Sequence, residues 1–150
     1  MTKIKKIKFE NVGKIYEFIK DFILDYPNYN KWLKKCKKEL EEGSKLGFYA
    51  IERNKIIGSV IFQMHKQESS ILEIKNFRVK PEYQKGGVGT KLYKSIEEYA
   101  KINGFSKVQV DTHAENNEMV KFFEKQGFKI KSKEPIYTPN QIEVILLKKI

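Results

Sequence analysis

The stretch that decides the fold runs from Arg78 to Leu92 and reads RVKPEYQKGGVGTKL. An apolar alternation ends at Val79, a loop with three glycines follows, and an amphipathic helix begins near Gly87. The N-terminus of a helix presents N–H groups without helical partners and about half a positive charge. Because glycines let a phosphate approach the backbone closely, this stretch predicts a phosphate-binding loop between a strand and a helix.

The residues of the loop exclude two common phosphate motifs. The P-loop of nucleoside triphosphatases requires Gly-Lys followed by Ser or Thr after four spacer residues, and residues 78–92 lack this pattern. The dinucleotide fingerprint requires a third glycine three positions after a Gly-x-Gly pair, but Gly87-Val88-Gly89 is followed by Thr90, Lys91 and Leu92. The spacing therefore predicts a phosphate ligand without identifying it.

Outward from this loop, the periodicity of apolar residues predicts a mixed α/β fold. Alternating or short apolar runs predict seven strands, at residues 4–9, 48–53, 56–65, 71–79, 107–112, 128–133 and 141–148. Helical spacing predicts four helices, at residues 12–24, 29–42, 87–103 and 116–126. Asn11 is the expected N-cap of the first helix, and Tyr26-Pro27-Asn28 separates the first two helices. The short links among the second, third and fourth strands predict an antiparallel meander.

Composition restricts the classes of function. The 150 residues carry a formal net charge of +11, but 28 of the 30 basic residues are lysine, and nucleic-acid recognition favours arginine. A nucleic-acid partner is therefore not expected. No apolar run approaches the ~18 residues of a membrane-spanning helix, and no apolar segment follows the basic N-terminus as in a secretory signal. The single cysteine, Cys36, excludes an intramolecular disulfide and suits the expected cytoplasmic location.

Two segments resemble signature motifs of the GCN5-related N-acetyltransferase (GNAT) superfamily. Residues 78–92 match motif A, Gln/Arg-x-x-Gly-x-Gly/Ala, through Gln84, Gly87 and Gly89. Residues 116–128, NNEMVKFFEKQGF, match motif B, which usually ends in Tyr-Glu-Lys-x-Gly-Phe. The resemblance covers residues 46–150 in motif order, and two correctly spaced motifs are far more specific than a single Gly-x-Gly.

The resemblance implies one N-acetyltransferase domain over residues 1–150, with a mostly antiparallel sheet whose fourth and fifth strands splay apart. Acetyl-coenzyme A (acetyl-CoA) would lie between those strands and donate its acetyl group to a primary amine. By similarity, the N–H groups of Phe77 and Val79 face the acetyl carbonyl and the pantetheine, the amides of residues 84–90 bind the pyrophosphate, and Asn116 bonds the cofactor arm. The implied cofactor-binding residues are Phe77, Arg78, Val79, Gln84, Lys85, Gly86, Gly87, Val88, Gly89, Thr90, Asn116 and Phe123.

The resemblance also implies a general base for the attacking amine. An alkylamine with a pKa near 10.4 is neutral only about once in a few thousand molecules at pH 7. Glu73, on the fourth predicted strand, matches the glutamate base of the histone acetyltransferase branch and is the candidate catalytic residue. Alternation does not fix the face of the sheet that Glu73 occupies, so a solvent-facing Glu73 is an equal alternative.

The proton donor for the departing thiolate is open. Phe123 stands where the superfamily usually has a tyrosine, and a thiol with a pKa near 8.5 also leaves readily as the thiolate. Tyr137, in the predicted loop between the last two strands, is an alternative donor. His113 is a second candidate base or simply the start of the next helix, and His65 is expected at the surface. These two histidines and Cys36 share no spacing that predicts a metal site.

Three classes of function follow. An amine N-acetyltransferase is expected, the missing tyrosine leaves a non-catalytic CoA-binding regulatory module open, and the charge leaves a nucleic-acid-associated module as the least expected class. The acceptor is open among polyamines, amino acids, aminoglycosides, peptide N-termini and protein lysines, although a charge of +11 disfavours a polycation. Trp32, Tyr26 and Tyr29 are expected in the core or in the wall of the acceptor pocket. The sequence does not decide between a monomer and a homodimer.

Overall fold

A computed structural model describes residues 1–22 and 27–150 of the chain. Its strands are β1 Lys3–Lys6, β2 Leu46–Glu52, β3 Lys55–Met64, β4 Ile71–Val79, β5 Lys107–His113, β6 Lys129–Thr138 and β7 Gln141–Lys149. Its helices are α1 Val12–Lys20, α2 Tyr29–Glu42, α3 Val88–Ile102 and α4 Asn117–Lys125. The strands form one sheet in the order β1-β2-β3-β4-β5-β7-β6. β4 and β5 run parallel, and the other neighbouring strands are antiparallel.

Helices cover both faces of the sheet, and each face has its own core. One core joins α3 and α4 to strand residues that include Val60, Phe77 and Val110. The other joins α1 and α2 to Tyr49 and Ile61. None of the described helices is both long enough and apolar enough to cross a membrane.

The predicted order of elements, β-α-α-β-β-β-α-β-α-β-β, is confirmed. The helix that follows the glycine loop begins at Val88 and ends at Ile102, one residue inside each predicted bound. The antiparallel meander of β2, β3 and β4 is also confirmed.

The prediction was wrong at the N-terminus. β1 ends at Lys6, and a 3-10 turn occupies Phe9–Asn11 where the strand was expected to continue. Asn11 is the N-cap residue of α1 as predicted, but its side chain accepts a hydrogen bond from the Lys8 N–H at 2.9 Å and makes no capping bond to α1. Because the chain turns here, Ile7 is buried while Phe9 is exposed, and the two do not share a strand face.

The first helix is shorter than the prediction. α1 ends at Lys20, and residues 21–22 form a turn. The last predicted residues of this helix, 23–24, and Tyr26 of the expected wall lie outside the described residues. α2 begins and ends at the predicted residues.

β6 is longer than the prediction, which ended it at residue 133. The strand continues through Pro135 to Thr138. Proline is tolerated because β6 is an edge strand and because its register against β7 shifts between Glu134 and Thr138. Tyr137 therefore lies on a strand and not in a loop.

A β-bulge and an early end of pairing open the sheet between β4 and β5. β3 and β4 change register so that Lys75 is an extra residue on β4. The pairing of β4 with β5 ends at Ile74 and Val110, although β4 continues to Val79 and β5 to His113. The predicted splaying of the fourth and fifth strands is therefore confirmed.

The bulge also decides which side chains of β4 share a face. Phe77 belongs to the core under α3. Asn76 lies opposite Ile61, which belongs to the core under α1 and α2, and Arg78 lies opposite Ser59. Because directly paired residues point their side chains to the same face, Asn76 and Arg78 both face the α1–α2 side.

Candidate active site

The splayed ends of β4 and β5 line a cavity, which we call the cleft. Four of the predicted cofactor residues contribute to its walls, namely Phe77, Arg78, Asn116 and Phe123. They come from β4, from the residue before α4 and from α4 itself, so the fold brings together positions up to 46 residues apart in sequence.

The glycine loop follows β4 and leads into α3. Residues 84–87 are exposed, and Val88 then buries its side chain in the α3 core. The first hydrogen bond of the helix runs from the Lys91 N–H to the Gly87 carbonyl, at 3.1 Å. The N–H groups of residues 88–90 therefore have no helical carbonyl as a partner, as is usual at a helix N-terminus, where anions are favoured.

Two of the predicted amide donors are already engaged within the loop. Gln84 and Gly86 donate their N–H groups to turn carbonyls at 3.3 and 3.2 Å. The Gln84 side chain also donates to the Val79 carbonyl at 3.1 Å, which ties the loop to the end of β4. The amides best placed for a phosphate are therefore those of residues 87–90, and Lys85 adds an exposed positive charge.

The backbone of β4 presents two N–H groups to the cleft. The Lys80 N–H donates to the Ile57 carbonyl of β3 at 2.8 Å. Because successive N–H groups of a strand point in opposite directions, those of Val79 and Phe77 point away from β3 and toward β5. β5 does not pair with this part of β4. The Phe77 N–H therefore points into the gap in which the resemblance puts the acetyl carbonyl.

The combination of a glycine loop, a helix start and splayed parallel strands agrees with a comparison against known families. A model of the acetyltransferase (GNAT) family matches residues 14–128. The chain belongs to the GNAT acetyltransferase family. The match includes both motifs on which the resemblance depends.

Solved structures share the fold of this GNAT protein at low sequence identity. A GNAT-family acetyltransferase structure from Desulfovibrio desulfuricans has a TM-score of 0.85 and 12% identity, with 99% of each chain covered. The PaiA N-acetyltransferase of Thermoplasma acidophilum, solved with coenzyme A, has a TM-score of 0.77 and 19% identity and covers 100% of this chain and 99% of its own. The ribosomal-protein-S18-alanine N-acetyltransferase of Escherichia coli has a TM-score of 0.77 and 18% identity, over 100% of this chain and 94% of its own.

Phe123 lies in an aromatic cluster beside the cleft of this GNAT protein. It is fully buried, and its ring meets Phe77 and Phe128 edge to face with centroids 5.6 and 5.1 Å apart. Tyr93 packs on the same ring at 6.3 Å. Burial, with the charge and hydrogen bond of Glu97, raises the pKa of Tyr93 far above its usual value. The cluster therefore supplies no readily released proton for a thiolate.

Asn116 and Tyr137 line the cleft from two other elements. Asn116 is the N-cap of α4, and its Oδ1 accepts a hydrogen bond from the Met119 N–H at 3.2 Å, which fixes the orientation of the side-chain amide. Tyr137 donates its hydroxyl to Asp111 Oδ2 at 3.0 Å. The alternative proton donor that the sequence named therefore has a place in the wall of the cleft.

A histidine–glutamate pair lies at the β5 end of the cleft. His113 is the last residue of β5 and not the start of α4, and its Nδ1 is 2.8 Å from Glu143 Oε2. Glu143 is fully buried on β7, directly opposite His113. When a carboxylate accepts the Nδ1 proton of a neutral imidazole, Nε2 is the atom that accepts a further proton. His113 therefore stays a second candidate base.

Glu73 lies beside the cleft and not in its wall. Its side chain is 14% exposed, its Oε2 is 3.6 Å from Lys75 Nζ, and it lines a second cavity next to α2. That cavity also contains Lys45, which is 5% exposed with its Nζ 2.6 Å from Glu39 Oε1. Trp32 and Lys75 line both cavities. The face that the sequence left undecided is therefore the α2 side, where Glu73 lines a neighbouring cavity.

Three other predicted residues have side chains engaged elsewhere. Val79 buries its side chain in the α3 core, so it offers only its backbone to a ligand. Thr90 Oγ1 accepts from Gln126 Nε2 at 3.5 Å. His65, expected at the surface, is half-buried at the second cavity, and its Nδ1 accepts backbone N–H groups from residues 67 and 68 at 3.1 and 3.2 Å.

The sequence did not single out two polar residues near the cleft. Asn76 lines it and is 4% exposed. Glu143 is the fully buried partner of His113. The sequence signal was weak, since Asn76 stands between Lys75 and Phe77 and Glu143 precedes the apolar run 144–147. The bulge and the strand pairing were needed to identify both residues.

Proposed function

We propose that this GNAT protein transfers an acetyl group from acetyl-CoA to a primary amine, within one domain over residues 1–150. The observation that carries the proposal is the gap between β4 and β5, which leads along β4 into the glycine loop and the start of α3. A thioester joined by an extended arm to a pyrophosphate fits a slot with inward N–H groups followed by an anion-binding helix start. Asn116 and Phe123 complete the proposed cofactor site as residues of the cleft wall.

Bound acetyl-CoA supplies an acetyl carbonyl that is activated as a thioester. The Phe77 N–H donates to the carbonyl oxygen and stabilises the negative charge that develops during attack, an effect worth about 2.7–4 kcal/mol per donor. The N–H groups of residues 87–90 hold the pyrophosphate, and Lys85 adds a positive charge beside it. The +11 net charge attracts the polyanionic cofactor at long range.

The protons move through residues on either side of the cleft. Glu73 is the proposed general base and acts through water, since it lines the neighbouring cavity and not the cleft itself. The neutral amine then forms the nitrogen–carbon bond while the carbon–sulfur bond breaks, and the nitrogen releases its second proton to solvent. The sulfur leaves as a thiolate and takes its proton from Tyr137 or from solvent, because Phe123 has none to give.

Amine-dependent release of the CoA thiol from acetyl-CoA tests the proposed function. A panel of amino acids, amino-acid amides, polyamines, aminoglycosides and peptides covers the acceptor classes that the sequence left open. At least one member should raise thiol release well above the rate without amine, with one acetylated amine formed per thiol. A cofactor that binds without turnover on any acceptor would contradict the proposal.

A pair of matched variants tests the base. Glu73→Gln removes the proton-accepting carboxylate, and Glu98→Gln makes the same change at an exposed position on α3. The Glu73 variant should lose the rise in rate with pH that a carboxylate base, directly or through water, confers, while the Glu98 variant keeps it. An unchanged pH profile for Glu73→Gln, with a loss in His113→Gln, would transfer the role to the histidine.

The buried Phe123 supports a second candidate function, a non-catalytic CoA-binding regulatory module. Such a module would bind CoA and acetyl-CoA equally well and release no thiol with any amine. We also expect a cytoplasmic location, which fractionation of tagged protein would check.

A further inference from the structure

Two shielded polar atoms of residues that line the cleft have no hydrogen-bond partner among the described residues. They are Oδ1 of Asn76 and Nε of Arg78, and both are shielded from solvent. Asn76 is 4% exposed and lines the cleft together with Arg78. A buried polar group without a hydrogen-bond partner lowers the stability of the fold. Where such atoms occur together, a ligand that supplies the missing hydrogen bonds is a natural explanation. One atom accepts a hydrogen bond and the other, on a cation, donates one.

The charge of Arg78 is not balanced within the described residues. Its Nη1 donates to the Phe77 carbonyl at 2.9 Å, and it takes part in none of the ion pairs of these residues. Lys75, the other basic residue of the cleft wall, already lies 3.6 Å from a carboxylate oxygen of Glu73. A half-buried guanidinium that has no carboxylate partner is a ready partner for an anion.

The anion that suits Arg78 belongs to the acceptor. In the proposed function, the phosphates of the cofactor lie at the start of α3, and its thioester end carries no charge. Arg78 and Asn76 point to the α1–α2 side of the sheet, whereas Phe77 points its side chain to the α3 side. The proposed cofactor and these two side chains therefore come into contact only at the gap between β4 and β5.

The spacing of the two residues defines the class of acceptor. Asn76 and Arg78 lie two positions apart on β4, about 6–7 Å between Cα atoms. The Phe77 N–H, between them, points into the gap. We propose that the acceptor is a free α-amino acid, whose amine donates to Asn76 Oδ1 and whose carboxylate binds the Arg78 guanidinium. This holds the nitrogen beside the acetyl carbonyl.

The opposite wall of the cleft indicates the side chain of that amino acid. Tyr29 and Trp32 line the cleft with their rings stacked, 5.8 Å apart and 9° from parallel. Stacked aromatic rings offer apolar area to a ligand. We therefore choose leucine as the probe.

This inference rests on the proposed function, and its first test compares two acceptors. Leucine and leucinamide differ by the carboxylate, and kcat/KM is measured for each by thiol release. Leucine should be preferred in the wild type, and Arg78→Met should lower the ratio of the two kcat/KM values by about 10- to 100-fold, the range of a charge-assisted hydrogen bond. Comparing this ratio between wild type and variant removes the contribution of the different amine pKa values of the two acceptors. It also removes any effect of the substitution on cofactor binding that both acceptors share.

Two further variants provide a control and a partial rescue. Arg53→Met removes the other arginine, which lies exposed in the turn between β2 and β3, and should keep the wild-type ratio. Arg78→Lys keeps the charge without the planar fork and should restore part of the preference. A ratio that is the same in wild type and Arg78→Met would overturn the inference, and so would a wild-type preference for the amide that Arg78→Met leaves unaltered.

A binding measurement separates this inference from the proposed function. Calorimetric titration of leucine into the protein saturated with CoA needs no turnover. Leucine should bind, and Arg78→Met should raise its Kd by about 10-fold or more. Leucine binding that depends on Arg78 without any thiol release would support the inference while the proposed function fails. Turnover of simple amines with no Arg78-dependent binding of leucine would refute the inference while the proposed function stands.

Discussion

Replacing Gly87 with alanine should weaken acetyl-CoA binding without a clash inside the protein. Gly87 has φ +81°, and a Cβ added there meets no atom within 4 Å. A left-handed backbone costs an L-residue about 1–2 kcal/mol. In Gly87→Ala the exposed loop relaxes toward negative φ, and it has to return to the left-handed conformation before the N–H groups of residues 87–90 can face a phosphate.

The magnitude follows from that conformational cost. A cost of about 1–2 kcal/mol corresponds to a 5- to 30-fold increase in the Kd of acetyl-CoA. If the folded loop resists relaxation, part of the cost appears as a lower free energy of unfolding. The quantity to compare with about 1–2 kcal/mol is therefore the sum of the lost binding free energy and the lost unfolding free energy.

Gly104 provides a matched control for the assay. It has φ +79° just beyond the other end of α3, and a Cβ there also meets no atom within 4 Å. Gly104→Ala should lower the melting temperature and leave the calorimetric Kd of acetyl-CoA unchanged. The reasoning is refuted if Gly104→Ala weakens binding as much as Gly87→Ala, or if Gly87→Ala changes neither Kd nor stability.

Three further predictions follow from buried groups. Asn76→Leu removes the unpartnered Oδ1 and should raise the melting temperature by about 2–4 °C per kcal/mol gained while lowering kcat/KM; a lower melting temperature with unchanged activity would contradict this. Burial alone would raise the pKa of Glu97, but Lys148 lowers it overall. The stabilisation that Lys148 gives through Glu97 is therefore complete above the pKa of Glu97 in the unfolded chain, and it is lost as pH falls through the pKa of Glu97 in the folded protein. The difference in melting temperature between wild type and Lys148→Met should therefore shrink below about pH 4. A difference that grows would contradict this explanation. Burial raises the pKa of the Cys36 thiol to about 12, so native protein should resist Ellman's reagent at pH 8, and rapid labelling of this cysteine would show that the site opens.

Features encoded by short, contiguous stretches could be predicted from the sequence. The glycine loop and α3 depend on residues 78–102, where strand alternation, glycines and helical spacing follow one another. The order of elements followed from the periodicity of apolar residues, and the splaying of β4 and β5 followed from the resemblance to the superfamily. The predicted ends of β1 and β6 were wrong. A side-chain hydrogen bond at Asn11 and the position of Pro135 on an edge strand decided these ends, and the local alternation of apolar residues did not.

Features that depend on distant pairing could not be predicted. The bulge at Lys75 shifts the alternation of β4, and only the register against β3 puts Asn76 and Arg78 on the α1–α2 side. The contact between His113 and Glu143 depends on the pairing of β5 with β7, across 30 residues of chain. The resemblance suggested a base at Glu73 without revealing that this side chain lines a neighbouring cavity and not the cleft.

The central claim is that the gap between β4 and β5 and the loop at the start of α3 together bind acetyl-CoA. Titration of acetyl-CoA into ¹⁵N-labelled protein, followed through the backbone amide resonances, tests it most directly. We expect the largest saturable shifts at the amides of Phe77, Val79 and residues 87–90, with little change at the exposed Arg53 turn. Saturable shifts confined to other surfaces, with these amides unmoved, would contradict it.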